Sequence, residues 1–148
     1  MENRHLFKAQ RVDNGEWEIG SLIILPNGKY EIANGCANPP DSDPMWKECV
    51  ITHIVDLSTI CQCTGLKDKN GKLIWEHDII KYHFGNEYAQ IRYGAYQNCF
   101  DSQKAEHIGF YVDWSENRNY RKDLGYWINM VNAEVVGNIF DNPELLEV

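Results

Sequence analysis

The sequence predicts a mainly β fold, and three observations carry that expectation. Asn27-Gly28 and Asn70-Gly71 each sit between runs of strand-forming residues, and Asn-Gly readily takes the positive φ of a tight turn. Ile108, Phe110, Val112 and Trp114 repeat with period two, the signature of a strand with one face inward. Glu48 to Asp56, ECVITHIVD, is rich in β-branched residues, which pack well on a pleated surface.

The elements follow in order. Trp17 to Ala33, WEIGSLIILPNGKYEIA, reads as a hairpin about Pro26-Asn27-Gly28. Trp17, Ile19, Ile23 and Leu25 point one face inward, and the unbroken Leu22 to Leu25 predicts a central strand covered on both faces. Three prolines between Asn34 and Trp46 exclude a regular element and predict a long surface loop. After the strand at Glu48 to Asp56 come strands over Thr59 to Leu66, Leu73 to Trp75 and Asp78 to Tyr82, the first two joined by the second Asn-Gly turn. Further strands are expected at Ala89 to Tyr93, His107 to Trp114 and Glu134 to Phe140, while Ile128 to Ala133 fits a short helix or a strand. Asn142-Pro143 supplies the capping residue and first-turn proline of a short C-terminal helical turn. The expected core includes Trp17, Ile23, Tyr30, Ile32, Ile79, Phe110, Val112, Val136 and Ile139.

A chain of 148 residues is long enough to bury a core without a disulfide or metal, and it divides into an N-terminal β subdomain over residues 1–56 and a second over residues 57–148. With 43% hydrophobic and 12% aromatic residues it is not a disordered composition. No apolar run reaches the roughly 18 residues of a membrane span, and the first residues have no apolar core of a secretory signal. Five irregularly spaced cysteines, Cys36, Cys49, Cys61, Cys63 and Cys99, suit reduced thiols in a cytoplasm better than a disulfide framework. The net charge of −8 opposes binding driven by phosphate contacts and favours a protein partner.

STICQCTGLKDKNGKLIWEHDIIK resembles a segment of the YopX family of phage and prophage proteins: a Thr-Ile pair, a Gln, Thr-Gly-Leu, Asp-Lys-Asn-Gly-Lys and Glu-Gly-Asp-Ile-Val. VVGNIFDNPELL is similar to the family's closing segment, and Trp17, Gly20 and Tyr30 fit its opening hairpin. The resemblance implies a small SH3-like barrel in the later part of the chain, on which the N-terminal hairpin-based sheet packs, and a phage or prophage origin. The family has no established activity, so the resemblance implies no catalytic residues. His77 stands where the family usually has glycine, which puts a tight glycine turn there in question.

Candidate sites have competing structural uses. Asp68, Glu76, His77 and Asp78 offer acid/base or metal chemistry, but a strand would put His77 opposite the two flanking carboxylates and make no three-ligand site. The structural expectation is that Asp68 holds the Asn70-Gly71 turn and Asp78 caps the turn into Ile79. Cys61 and Cys63 offer two thiolates, yet zinc sites show two separated pairs, so the expectation is small buried hydrophobes on one face. His53, His77, His83 and His107 carry no motif pairing any of them with a cysteine nucleophile.

Arg118, Tyr120, Arg121 and Lys122 form a basic cluster interleaved with an aromatic, bordered by Trp114 and Trp127, and this is the candidate binding site. Base stacking on Tyr120 with phosphate contacts from the cations is the functional reading; Glu116 and Asp123 favour an ordinary solvated loop. The expected function is a non-enzymatic phage accessory protein, without cofactor or metal, that binds a host or phage protein or a copy of itself. A nucleic-acid-binding module using the Arg118 to Lys122 loop is the alternative, and a metal-dependent hydrolase using Asp68 to Asp78 comes third.

Overall fold

A computed structural model describes residues 2–36, 50–82, 87–98, 101, 105–114 and 120–147. The chain is mainly β, with antiparallel sheets, and separates into two compact units, Glu2–Cys63 and Thr64–Val148.

The first unit contains β1 (Phe7–Gln10), β2 (Trp17–Ile24), β3 (Tyr30–Cys36), β4 (Val50–Val55) and the start of β5 (Cys61–Lys67). These strands are ordered β4-β3-β2-β1-β5. Strand β1 carries no sequence alternation strong enough to announce it. It is specified by pairing instead, with Phe7 opposite Gly20 on β2 and opposite Gln62 on β5. Just past β1 the chain turns to β4: Val12 N donates to Ile54 O at 3.1 Å, and Asp56 N donates to Gln10 O at 2.9 Å. Ala9, Ile32 and Val55 form the buried centre, with Phe7, Leu22, Tyr30 and Ile60 packed around it. Gly20 is required by packing, since a Cβ there would clash with the Ala33 carbonyl oxygen.

The hairpin about Gly28 forms with that residue at φ +82°, and β2 is central in its sheet. The expected cover on both faces is not found: Ile24 is 63% exposed and Ile23 half-buried. An unbroken apolar run therefore does not mean two covered faces here. Trp17 is likewise half-buried.

The second unit continues β5 into β6 (Leu73–Trp75), then β7 (Asp78–Tyr82), β8 (Glu87–Tyr96), β9 (His107–Asp113) and β10 (Glu134–Asn138). A four-stranded sheet runs β10-β7-β8-β9, and β6 neighbours β5. No closed barrel is formed among the described residues. The core gathers Ile74, Ile80, Ile91, Val112, Trp114 and Trp127, with Leu124, Ile128 and Val135. Val135, not the expected Val136, faces inward, because a bulge between Val135 and Gly137 shifts the register of β10 by one residue. Phe110 and Ile139 are half-buried rather than central. The segment left between helix and strand is a π-helical turn, Tyr126–Met130, and a 3₁₀ turn, Pro143–Leu146, follows β10.

Strand β8 is ten residues long and β7 only five, so β7 covers β8 from Glu87 to Gln90. Beyond that point β8 continues with β9 as a two-stranded ribbon, paired from Gln90 with Asp113 to Tyr96 with His107.

Candidate functional site

Of the predicted binding residues, Tyr120, Arg121 and Lys122 each have partners within their own unit. Arg118 lies outside the described residues. Tyr120 is half-buried in an aromatic cluster, its ring centroid 5.4 Å from Trp114, 5.5 Å from Trp127 and 5.9 Å from Tyr82. Such edge-on and tilted contacts fix the ring as a packing element rather than an open stacking platform. Arg121 reaches Asp123 with Nη2 at 2.7 Å and Nε at 3.0 Å, and its guanidinium lies over the Tyr126 ring. Lys122 is anchored through its backbone: its N donates to Asn98 Oδ1 and its carbonyl accepts from Val112 N, both at 2.8 Å.

Asp123 is the centre of this region and was read from the sequence merely as a charge opposing the cluster. Its carboxylate accepts from Arg121, from Asn98 Nδ2 at 3.0 and 3.1 Å, and from the Tyr96 hydroxyl at 3.1 Å. Burial acts to raise its pKa, but the hydrogen bonds from Arg121, Asn98 and Tyr96 outweigh burial and hold it below the usual range. Burial, followed by the Asp123 hydrogen bond, pushes the Tyr96 hydroxyl up to about 12, so at neutral pH it keeps its proton and donates this hydrogen bond. The Tyr96 ring stacks on His107 at 5.1 Å and on Tyr111 at 5.2 Å, and His107 Nε2 stands 2.9 Å from Asp101 Oδ2. An open polar cavity of about 540 Å³ is lined by Ala95, Tyr96, Gln97, Asn98, Glu106 and Lys122. Three side chains, Arg121, Asn98 and Tyr96, converge on the Asp123 carboxylate and brace the ribbon on this face.

The opposite face of the ribbon is apolar. Ile91 and Val112 pair inside the core; one step outward Tyr93 pairs with Phe110, and one further Ala95 pairs with Ile108. Exposure rises along that row, with Tyr93 at 56% and Ile108 at 75%. The alternation that predicted β9 is present, and it continues past the core to Ile108. The signal that the row outruns the core lies in strand length, which sequence patterns fix poorly.

Residues of the Thr64 to Tyr82 segment have local structural roles. Asp68 is buried; Oδ1 accepts from Asn70 N at 2.9 Å and Lys72 N at 3.0 Å, and Oδ2 accepts from Val135 N at 3.2 Å. Asp78 Oδ2 accepts from Trp75 N at 2.9 Å. Glu76 and His77 form a turn rather than strand, with His77 at φ +73°, so the geometry a glycine would favour is kept by histidine. His77 N donates to Ile91 O at 2.8 Å, its carbonyl accepts from Ile139 N at 3.1 Å, and its ring meets Phe140 edge-on at 5.7 Å. Burial lowers the His77 pKa, with Glu76 acting against that shift.

Cys61 and Cys63 are fully buried, and Cys61 Sγ donates to Thr59 O at 3.2 Å. The Cys36 side chain and Cys49, His83 and Cys99 lie outside the described residues. His53 is half-buried, 3.8 Å from Glu18. Among the described residues no three His, Cys, Asp or Glu side chains are placed to share a metal ion. Among the described residues no helix is long and apolar enough to cross a membrane.

No curated protein matches the chain. Among solved structures, the crystal structure of protein EF1440 from Enterococcus faecalis is similar in fold, with a TM-score of 0.54 at 22% identity, covering 95% of this chain and 96% of that one. The family model described as YopX protein matches residues 25–147. That span takes in the Asp68 turn, the left-handed position at His77 and the bulged Gly137 strand, and over it the chain belongs to the YopX family.

Proposed function

We propose that this chain is a non-enzymatic phage or prophage accessory protein, cytoplasmic in its host, that works as a protein-interaction module. The observation that carries this reading is the apolar row that leaves the core through half-buried Phe110 and ends on exposed Tyr93 and Ile108, while the ribbon's other face is braced by Asp123. An exposed contiguous apolar surface on a soluble fold marks an interaction site more often than scattered apolar residues do. The acidic charge adds to it by discouraging polyanions. The later unit is proposed to follow an SH3-like arrangement, supported by Ile74 of β6 sharing a core with Ile80 and Val112, and by Asp68 reaching Val135 of β10.

The alternative, nucleic-acid binding through Arg118 to Lys122, keeps one favourable feature, the Arg121 guanidinium over Tyr126. Against it, Arg121 is already paired with Asp123 and Tyr120 is packed inward. The test is capture from host lysate with nuclease present, comparing the intact chain with Ile108→Glu. A specific protein held by the intact chain and lost in the folded variant is expected. Recovery of nucleic acid that disappears in Arg121→Ala, with no protein partner, would replace this reading by the alternative.

A further inference from the structure

We propose that the outer edge of β9 around Ile108 is a strand-addition site for an extended segment of another protein, alternately apolar and basic; this deepens, and rests on, the interaction-module reading. Val112 N, on β9, donates away from β8 to Lys122 O, which fixes the direction of every second amide along the strand. Phe110 and Ile108 share that parity, because no bulge interrupts the β8–β9 register. Their N–H groups, and the Ile108 carbonyl, therefore face outward. Among the described residues the chain itself covers this edge at Tyr111 and Val112, through Asp123 and Lys122, and stops there. The Pro143–Leu146 turn lies near β8 rather than β9.

A two-stranded ribbon is marginal in water, and a third strand with an apolar face is what stabilises such a unit. An incoming strand would meet the outward backbone groups and lay alternate side chains beside Ile108 and Phe110. Gly109 has open space where a Cβ would be, so the opposite face at the same point adds no obstruction. Charge selects the partner. Arg92 is committed to Asp113 at 2.7 Å and Arg121 to Asp123 at 2.7 Å, while Glu106 beside the edge is exposed and the whole chain carries −8. Basic residues between the apolar ones complement this field, and a second copy of the chain, equally acidic, does not.

The probe is a short labelled peptide of alternating Val and Lys, titrated onto the full chain at neutral pH. Its controls are the same peptide N-methylated at alternate residues and a version with Glu in place of Lys. Binding should weaken about tenfold or more with either control, because one loses the strand's hydrogen bonds and the other its charge match. Ile108→Pro removes one outward amide and should abolish binding. Ile108→Thr keeps the strand and should weaken it, which covers the case where the proline variant does not fold. Equal binding of the N-methylated peptide would overturn strand addition in favour of ionic attraction. So would a neutral-pH dimer that Ile108→Thr dissociates, because the edge would then be a self-interface. No peptide binding, with an Ile108-dependent lysate partner still captured, would overturn strand addition and leave the interaction module standing; loss of both would remove both.

Discussion

His77 shows most directly how one side chain can oppose its own backbone. A non-glycine residue at φ +73° carries a steric cost of about 1–2 kcal/mol, and the histidine ring offsets part of it by packing on Phe140. His77→Ala keeps the steric cost and loses the ring, so His77→Gly should exceed His77→Ala by about 1–2 kcal/mol in chemical denaturation. Equal stabilities would mean the turn relaxes when the ring is gone. Protonation gives a second readout. Burial sets the folded His77 pKa below the ordinary histidine value, so the unfolded chain takes up the proton first as pH falls. His77's contribution is complete above that value and is lost progressively as pH drops through it toward the lowered folded pKa. Denaturation midpoints should fall across this window in the intact chain and fall less in His77→Gly.

At the scale of strands and turns, the local signals in the sequence were legible and the tertiary ones were not. Gly28 and Gly71 sit at φ +82° and +79°, as the two Asn-Gly pairs require, and Asp68 and Asp78 hold the turns assigned to them. Strand β1 escaped because FKAQ has no period-two contrast and is defined by neighbours distant in sequence. Val136 was misplaced by a bulge, and the partners of Asp123 beside the basic loop were not legible because Asp123, Asn98 and Tyr96 meet only in the fold. Asp68 ties both kinds of information together, serving its own turn and also β10. Asp68→Ala leaves three backbone donors to find other partners and should cost about 3 kcal/mol, measured by denaturant unfolding. Phe110→Ala, at the half-buried end of the apolar row, should cost less than the roughly 3–5 kcal/mol of a fully buried phenylalanine. Ile80→Ala, fully buried, should cost about 2–5 kcal/mol. A larger loss for Phe110 than for Ile80 would show that the row is covered in solution.

Across the whole molecule, charge and the open β9 edge act on the same event. A strand edge left uncovered among the described residues, with exposed Ile108, invites pairing with its own kind, and like charge is one way proteins suppress that. At neutral pH the −8 charge supplies such repulsion. The isoelectric point is about 5.0, so the repulsion fades as pH approaches that value, in the same direction that His77 takes up its proton. The weight-average mass from light scattering should therefore stay monomeric near pH 7 and climb toward pH 5. Isoelectric precipitation alone would give the same trend in any variant of equal charge. Ile108→Pro leaves the charge unchanged and removes an outward amide from the edge, so its mass should climb much less, provided its melting curve at neutral pH shows it folded. Identical curves for the two proteins would assign the association to net charge alone and deny the β9 edge any part in it.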